Sequence, residues 1–247
     1  MIAVQLKYDL LMFSREIFYV VFSLLVPPAT YIFLGQLFSD STYPGLSYAD
    51  MATPSFVLLI AFSVVFFAFG FDQVANRAEG VEKRILLSPV SAEILLLSGI
   101  LKSIIITSFG FVLIHGIGFW LYDLSLRPVQ LLTAYGLFLV FNTVLMTVAS
   151  AIYSFFTKMK SALVFSIIIF QIVLVTADFS FPVNQMPEFV QTAAQLNPMY
   201  HMNHLFIDVW NNQLIWNSGT WISISYLIVL VFIACVILFL QPKKSVK

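Results

Sequence analysis

The sequence predicts an all-α membrane protein with six transmembrane helices. Hydrophobic residues make up 60% of its 247 residues and charged residues only 10%, whereas soluble domains carry about 25% charged residues. A soluble fold of this length could not hide so much apolar surface, because part of any core must face solvent. The uncharged runs are continuous rather than alternating, which is typical of membrane helices and not of barrel strands.

We expect one transmembrane domain over residues 1–247. A span needs about 20 apolar residues, because a helix rises about 1.5 Å per residue and the hydrocarbon core is about 30 Å thick. Uncharged gaps of that length predict six spans, at about 17–38, 51–71, 95–120, 129–153, 161–180 and 220–240.

The distribution of basic residues predicts the orientation. With six crossings both termini share one side, and that side holds 11 of the 12 Lys and Arg residues, with only Arg127 opposite. The positive-inside rule places that side in the cytoplasm. All four tryptophans, at positions 120, 210, 216 and 221, fall at or beyond the predicted outer ends, where interfacial anchors are expected.

Residues 1–16 are predicted to form an amphipathic helix on the inner membrane surface. Apolar residues recur there at helical spacings and share one stripe: Ile2, Leu6, Leu10, Phe13 and Ile17. Asp9 and Glu16 line an adjacent polar edge, and such a helix can rest in the headgroup layer. A plain extension of the first span is the alternative.

The stretch "RAEGVEKRILLSPVSAE", residues 77–93, carries six of the 24 charged side chains. Apolar residues recur through it at helical spacings: Val74, Ala78, Val81 and Ile85. A short amphipathic cytoplasmic helix over about 73–87 is therefore predicted between spans 2 and 3. The positive-inside rule explains the basic residues but not the interleaved acids, and a surface of both signs is what a docking protein could recognise. A solvated loop is the alternative.

The outer segment 181–219 contains signals for two short helices. Pro187 followed by Glu188 suits a first helical turn. Asn197 can cap a second helix with Pro198 at its first position. We expect both helices to dip into the outer leaflet or to lie on it.

Polar residues on span 4 form a stripe: Asn142, Thr143, Thr147, Ser150 and Ser154. Helix packing is the favoured explanation, because small polar residues let helices approach and hydrogen-bond. A substrate pathway lined by Asn142, Thr143 and Thr147 is the alternative. Phe66 belongs to a phenylalanine-rich span 2, which faces either lipid or an apolar pathway.

Lys102 and His115 lie within the predicted span 95–120. Lys102 is expected to snorkel toward the inner headgroups, with a polar interior as the alternative. His115 lies among the glycines of span 3. A close helix–helix contact is expected for it, with a proton relay as the alternative.

A metal site is considered at His201, His204 and Asp208, which share one helix face. A zinc-protease helix needs histidines at i and i+4 with a Glu between them, whereas Met202 and Asn203 stand here. Interfacial histidines are therefore favoured. No G-x-x-x-x-G-K-[ST] motif occurs, so we expect no catalytic residues, no metal and no cofactor on this chain.

The whole pattern resembles the permease subunits of type-2 ABC exporters. The resemblance rests on the amphipathic start with "FSREIF", on six spans in about 250 residues, on the charged loop and on the outer "FPVNQMPEF…LNPMYH" segment. The loop matches the family's R-x-x-G…L-x-x-P-[VL]-[ST] signature through these residues: Arg77, Gly80, Leu86, Pro89, Val90 and Ser91. Lys83 and Arg84 depart from it, since many relatives carry an acid and an apolar residue there.

The resemblance implies an exporter subunit of the bacterial cell membrane, with an amphipathic or lipophilic cargo. The loop would be the coupling helix, docking on a separate cytoplasmic ATPase that binds ATP and Mg. Its coupling residues would be Arg77, Glu79, Gly80, Glu82, Lys83, Arg84 and Pro89. The interfacial helix, with Asp9, Arg15 and Glu16, would also contact that ATPase. Two permease chains, identical or sister subunits, would flank one pathway.

Two other functions stay open at this point. One is an intramembrane metal-dependent enzyme that uses His201, His204 and Asp208. The other is an ion-coupled carrier, for which Lys102, His115 and Asp178 would be needed. The absence of paired acids within the spans disfavours the carrier.

Overall fold

The computed structural model describes residues 2–38, 46–80, 92–179 and 183–240, and these residues form helices without a β-strand. Within these described ranges, six helices are long and apolar enough to cross a membrane, which confirms the predicted fold class: Val21–Phe38, Tyr48–Ala78, Leu97–Leu121, Pro128–Tyr153, Met159–Thr176 and Ser218–Leu240. We call them spans 1 to 6. The helix that contains span 3 begins earlier, at Ala92.

The N-terminal helix is separate from span 1. It runs over Ile2–Arg15, and a new helix begins at Ile17 after a break at Glu16. Phe13 of this helix is buried. The polar edge with Gln5 and Asp9 faces span 3, because Ser98 of span 3 donates a hydrogen bond to Asp9. We call Ile2–Arg15 the interfacial helix.

Spans 1 and 2 each contain one turn of π-helix. These turns are Val21–Leu25 and Val65–Phe69, and the rings of Phe22 and Phe67 approach to a centroid distance of 6.3 Å between them. Span 1 continues as an α-helix over Val26–Phe38. Span 2 continues as Gly70–Ala78, which we call the end helix.

Span 2 is enclosed by the rest of the chain. It contacts spans 1, 3 and 4 and an outer helix, and its residues 52–71 are all buried. Its phenylalanines face neither lipid nor an open pathway but other side chains. The rings of Phe62 and Phe67, for example, pack against Phe170 of span 5. Span 6 is the opposite case, since most of its residues are exposed and apolar and suit a lipid-facing surface.

The start of span 2 lies earlier than predicted, at Tyr48 instead of residue 51. Ser47 and Asp50 form a capping box there, in which the Ser47 side chain accepts from the Asp50 backbone N–H and the Asp50 carboxylate accepts from the Ser47 backbone N–H. The cap satisfies donors that a helix start leaves unpaired. A charged residue can therefore belong to the first turn of this membrane helix.

Tyrosines join the outer ends of spans 1 to 3. The Tyr31 and Thr53 hydroxyls are 2.7 Å apart, Tyr48 donates to the Tyr31 carbonyl at 3.0 Å, and Tyr122 donates to the Ile32 carbonyl at 2.9 Å. Each phenol thus has a hydrogen-bond partner beside its apolar ring, which is how buried tyrosines are accommodated.

The outer segment contains the two predicted helices, Glu188–Gln195 and Pro198–Trp210. We call them the first and second outer helices. Asn197 caps the second one, because its side chain accepts from the Met199 backbone N–H at 3.0 Å, and Pro198 occupies the first position. The second outer helix enters the bundle, where Phe206 packs against Phe138 and Phe141 of span 4.

The prediction for Trp210 is wrong. The other three tryptophans, at 120, 216 and 221, are exposed, as interfacial residues are. Trp210 is fully buried and packs against Phe111, His115 and Phe206, because its helix folds back among the spans instead of lying on the outer surface.

Candidate functional site

The end helix leads directly into the charged loop. It runs over Gly70–Ala78 and is followed by Glu79 at the cap position. Gly80 comes next, and its φ of 66° belongs to the left-handed region that glycine adopts without strain. Residues 73–78 of the predicted coupling helix therefore continue span 2. Residues 81–91, with Glu82, Lys83, Arg84 and Pro89, lie outside the described residues, so the coupling helix stays a prediction.

One side of the end helix is fastened to the C-terminal end of span 4. Gln73 Nε2 donates to Ser150 Oγ at 2.8 Å, and Arg77 Nη1 donates to the Tyr153 carbonyl at 2.8 Å. Arg77, predicted as a coupling residue, therefore also donates to a carbonyl that lacks a partner within its own helix, because it lies at the helix end. Glu79, another predicted coupling residue, is exposed at the cap position.

Tyr153 packs tightly against the end helix. It is fully buried, donates to the Phe66 carbonyl at 3.0 Å and shares a hydrogen bond with Ser166 of span 5. A Cβ on Gly70 would lie 2.2 Å from the Tyr153 ring, so only glycine fits there without a shift. Spans 2, 4 and 5 meet at this ring.

The other side of the end helix is fastened to span 3 by an ion pair. Lys102 Nζ donates to Asp72 Oδ2, with the Lys102 side chain 8% exposed and the Asp72 side chain 40% exposed. The snorkelling predicted for Lys102 is wrong, because a carboxylate inside the protein supplies the counter-charge that headgroups would otherwise supply. The alternative of a polar interior is the one observed.

The interfacial helix joins the same cluster. Asp9 accepts from Ser98 Oγ of span 3 at 2.5 Å and from Gln5 Nε2 at 2.8 Å. Ser98 lies one helical turn before Lys102. Arg15 and Glu16 are exposed at the end of the interfacial helix. The interfacial helix, the end helix and the beginning of span 3 thus meet through polar groups just before the charged loop.

The predicted pathway residues do not share one surface. Phe66 is buried against Phe62 and Tyr153, and Asn142 is buried and donates to Thr107 Oγ1 of span 3 at 2.5 Å. Helix packing, which the sequence favours over a substrate pathway, accounts for these contacts. Thr143 is instead exposed and Thr147 half-buried, and both donate to carbonyls four residues back in their own helix.

The geometry does not build the considered metal site. Both ring nitrogens of His201 already have partners, Ser223 Oγ at 3.0 Å and the Gln195 carbonyl at 2.9 Å. His204 Nε2 lies 3.1 Å from Asp178 Oδ2. Throughout the part of the chain that the structure describes, no group of three His, Cys, Asp or Glu residues could hold a metal ion.

Asp208 lies on the exposed side of the second outer helix beside His204. Burial raises the pKa of the Asp208 carboxyl, and the nearby His204 opposes this by lowering that pKa. Burial also raises the pKa of Tyr200, and the Asp178 carboxylate adds to the effect. Asp178, Tyr200, His204 and Asp208 thus form one polar cluster at the second outer helix.

The residues of the carrier hypothesis are separated. Lys102 pairs with Asp72, and Asp178 contacts His204. His115 packs against the rings of Phe111 and Trp210, so the expected close helix contact is present, although its buried Nδ1 has no hydrogen-bond partner.

Asp72, Gln73 and Ser98 were not among the predicted site residues. A signal existed for Asp72, because Asp72 and Lys102 each place a charge near one end of a largely apolar span. Charges within spans are rare and are usually paired. The partner, 30 residues away, follows from the fold alone.

Comparison with known proteins gives one family and one pair of curated relatives. The family described as ABC-2 family transporter protein matches residues 36–240. A protein called "Probable multidrug ABC transporter permease YbhR" from Escherichia coli (strain K12) is 20% identical over 179 residues, and its counterpart from Escherichia coli O157:H7 matches equally. The match covers 71% of this chain and 48% of each relative, so the chain spans about half the length of the curated relatives it matches.

The six spans, the charged loop after span 2 and the match over most of the chain agree with one another. The chain belongs to the ABC-2 family of transporter proteins and is a membrane-spanning permease of the type-2 ABC class.

Proposed function

We propose that this chain is the membrane subunit of an ATP-driven exporter that moves an amphipathic or lipophilic substrate out of the cell. A separate cytoplasmic ATPase, which binds ATP and Mg, supplies the energy. Two permease chains in the cell membrane, with termini on the cytoplasmic side, form the pathway. The multidrug description of the curated relatives and the aromatic content of 16% favour such a cargo.

One observation carries the proposal. The end helix, which enters the charged loop, is fastened to span 4 by Gln73 and Arg77 and to span 3 by Asp72. A force on the loop would therefore reach several spans together. This is what a subunit without its own ATP-binding motif needs, because the work of ATP hydrolysis must enter through a contact with the ATPase.

The proposal is tested on the permease co-expressed with its ATPase. Reversing the charges of Glu82, Lys83 and Arg84 should abolish co-purification of the ATPase, because a surface of both signs confers specific docking. Reversing Lys158 and Lys160, exposed residues on the same predicted side, is the matched control and should leave the complex intact. An ATPase that binds the triple reversal normally, on a permease that still folds, would contradict the proposal.

The orientation has its own test. A single cysteine introduced at position 79, with Cys235 replaced by Ser, should react with an impermeant thiol reagent only after the cells are opened. Labelling in intact cells would place the loop outside and remove the basis for an ATPase contact.

A further inference from the structure

We infer that Lys102 is a positioning residue for energy coupling: it joins the interfacial helix, the end helix and span 3 into one mechanical unit at the base of the charged loop. The inference rests on the proposed function, since it concerns how force from the ATPase enters the spans. It adds a residue that lies outside the loop and outside the signature by which the family is recognised.

The first step is the charge balance around Lys102. Its ammonium group pairs with Asp72 of the end helix. Asp9 and Glu16 are close enough to interact electrostatically with the same Asp72 carboxylate. The Lys102 charge therefore opposes the repulsion that Asp72 receives from one acid of the interfacial helix and from one at its C-terminal junction.

The second step is the connection of the interfacial helix. Asp9 accepts a hydrogen bond from Ser98, and Ser98 and Lys102 lie one turn apart on span 3. The same short stretch of span 3 therefore holds both other elements. Without the Lys102 charge, the repulsion of Asp72 by Asp9 and Glu16 would be uncompensated at this junction.

The third step is the enclosure of the pair. The Lys102 side chain is 8% exposed, and a charge removed from solvent is costly when its partner is lost. When both charges are replaced together, that cost disappears, and stability can be nearly unaffected. Stability and positioning can thus be separated by experiment, because only positioning still requires the charges themselves.

The variants are Lys102→Met, Asp72→Asn, the double Asp72→Asn/Lys102→Met, and Lys102→Arg, which keeps the charge. Lys160→Met is the matched control, an exposed lysine on the same predicted side of the membrane. Each is purified with the ATPase and reconstituted in liposomes. Three quantities are measured: the melting temperature, the ratio of substrate transported to ATP hydrolysed, and deuterium uptake of residues 2–15 relative to 128–153.

We expect Lys102→Met to lower the transport-to-hydrolysis ratio at least about fivefold and to speed deuterium uptake in residues 2–15 but not in 128–153. The double variant should recover the melting temperature while its ratio stays low. Lys102→Arg and Lys160→Met should keep the ratio within about twofold of wild type.

Two results would overturn the inference. One is a Lys102→Met ratio within about twofold of wild type. The other is a double variant that regains transport together with stability, since this would reduce the pair to a structural role. If Lys102→Met does not fold, the transport-to-hydrolysis ratio of the double variant decides whether the inference holds. A wild-type complex without ATP-dependent transport would refute the proposed function instead, and deuterium uptake, which needs no ATPase, would still test the joining of the helices.

Discussion

Replacing Gly70 with alanine tests how closely the end helix must approach Tyr153. The new Cβ would lie 2.2 Å from the ring, whereas ordinary contact begins at 3.4 Å, so the two must separate by about 1.2 Å. The ring cannot swing away easily, because the Tyr153 hydroxyl is bonded to Phe66 and Ser166. Overpacking of this kind costs about 1–3 kcal/mol, and the helix propensity of alanine returns about 1 kcal/mol.

Because two hydrogen bonds hold the ring in place, we expect the overpacking cost to lie at the upper end of this range, about 3 kcal/mol, so that Gly70→Ala lowers the free energy of unfolding by about 2 kcal/mol net. At about 2–4 °C per kcal/mol for a chain of this size, the melting temperature of the purified protein in detergent should fall by about 4–8 °C. Gly136→Ala is the matched control, since its Cβ meets nothing within 4 Å, and it should melt at or above the wild-type temperature.

A double-mutant cycle with Tyr153→Leu identifies the cause. Leucine lacks the ring atoms that the Gly70 Cβ would meet, so Gly70→Ala should cost less than about 1 kcal/mol in that background. An equal loss with tyrosine and leucine at position 153, or a Gly70→Ala protein that melts within about 2 °C of wild type, would refute this account of the contact.

Three further predictions concern the outer segment. Since burial raises the pKa of Asp208, its ionisation favours the unfolded state, and stability falls as pH rises through the range above 3.8; Asp208→Asn should melt higher than wild type near pH 7, and a difference that persists below that range would contradict this. His201→Ala should lose about 1–3 kcal/mol because two hydrogen bonds are broken, and a strong chelator should shift the melting temperature of neither protein. Asn203→Ala should lose about 1–3 kcal/mol, because the Asn203 amide donates to two carbonyls at the end of span 5; thermal unfolding that matches wild type would show these bonds to be dispensable.

Hydrophobicity and cap signals predict a large part of this fold. Six spans follow from the length of the uncharged runs, and the two outer helices follow from Pro187 and from Asn197 with Pro198. Both kinds of signal are local, since a helix cap depends on residues within one turn. They therefore need no knowledge of which helices are neighbours.

The neighbours themselves could not be predicted. Lipid tails are as apolar as leucine, so a phenylalanine-rich span has the same sequence pattern whether it faces lipid or protein. Span 2 is enclosed by protein. The prediction that Trp210 is an interfacial residue was wrong for the same reason, because its apolar ring is buried among protein side chains. For Lys102, snorkelling and pairing both satisfy the charge, and the choice depends on Asp72, which only the fold brings close.

The π-helical turn Val65–Phe69 gives span 2 an unusual response to shortening. Such a turn corresponds to one residue inserted into an α-helix, so removal of Ala68 could return the backbone to regular α-helical geometry. The π-helical turn absorbs the extra residue, so the residues after this deletion would keep nearly the same direction around the helix axis. Asp72, Gln73 and Arg77 would still face their partners, whereas a deletion within the regular helix before the turn, Tyr48–Val64, would rotate all three by about 100°.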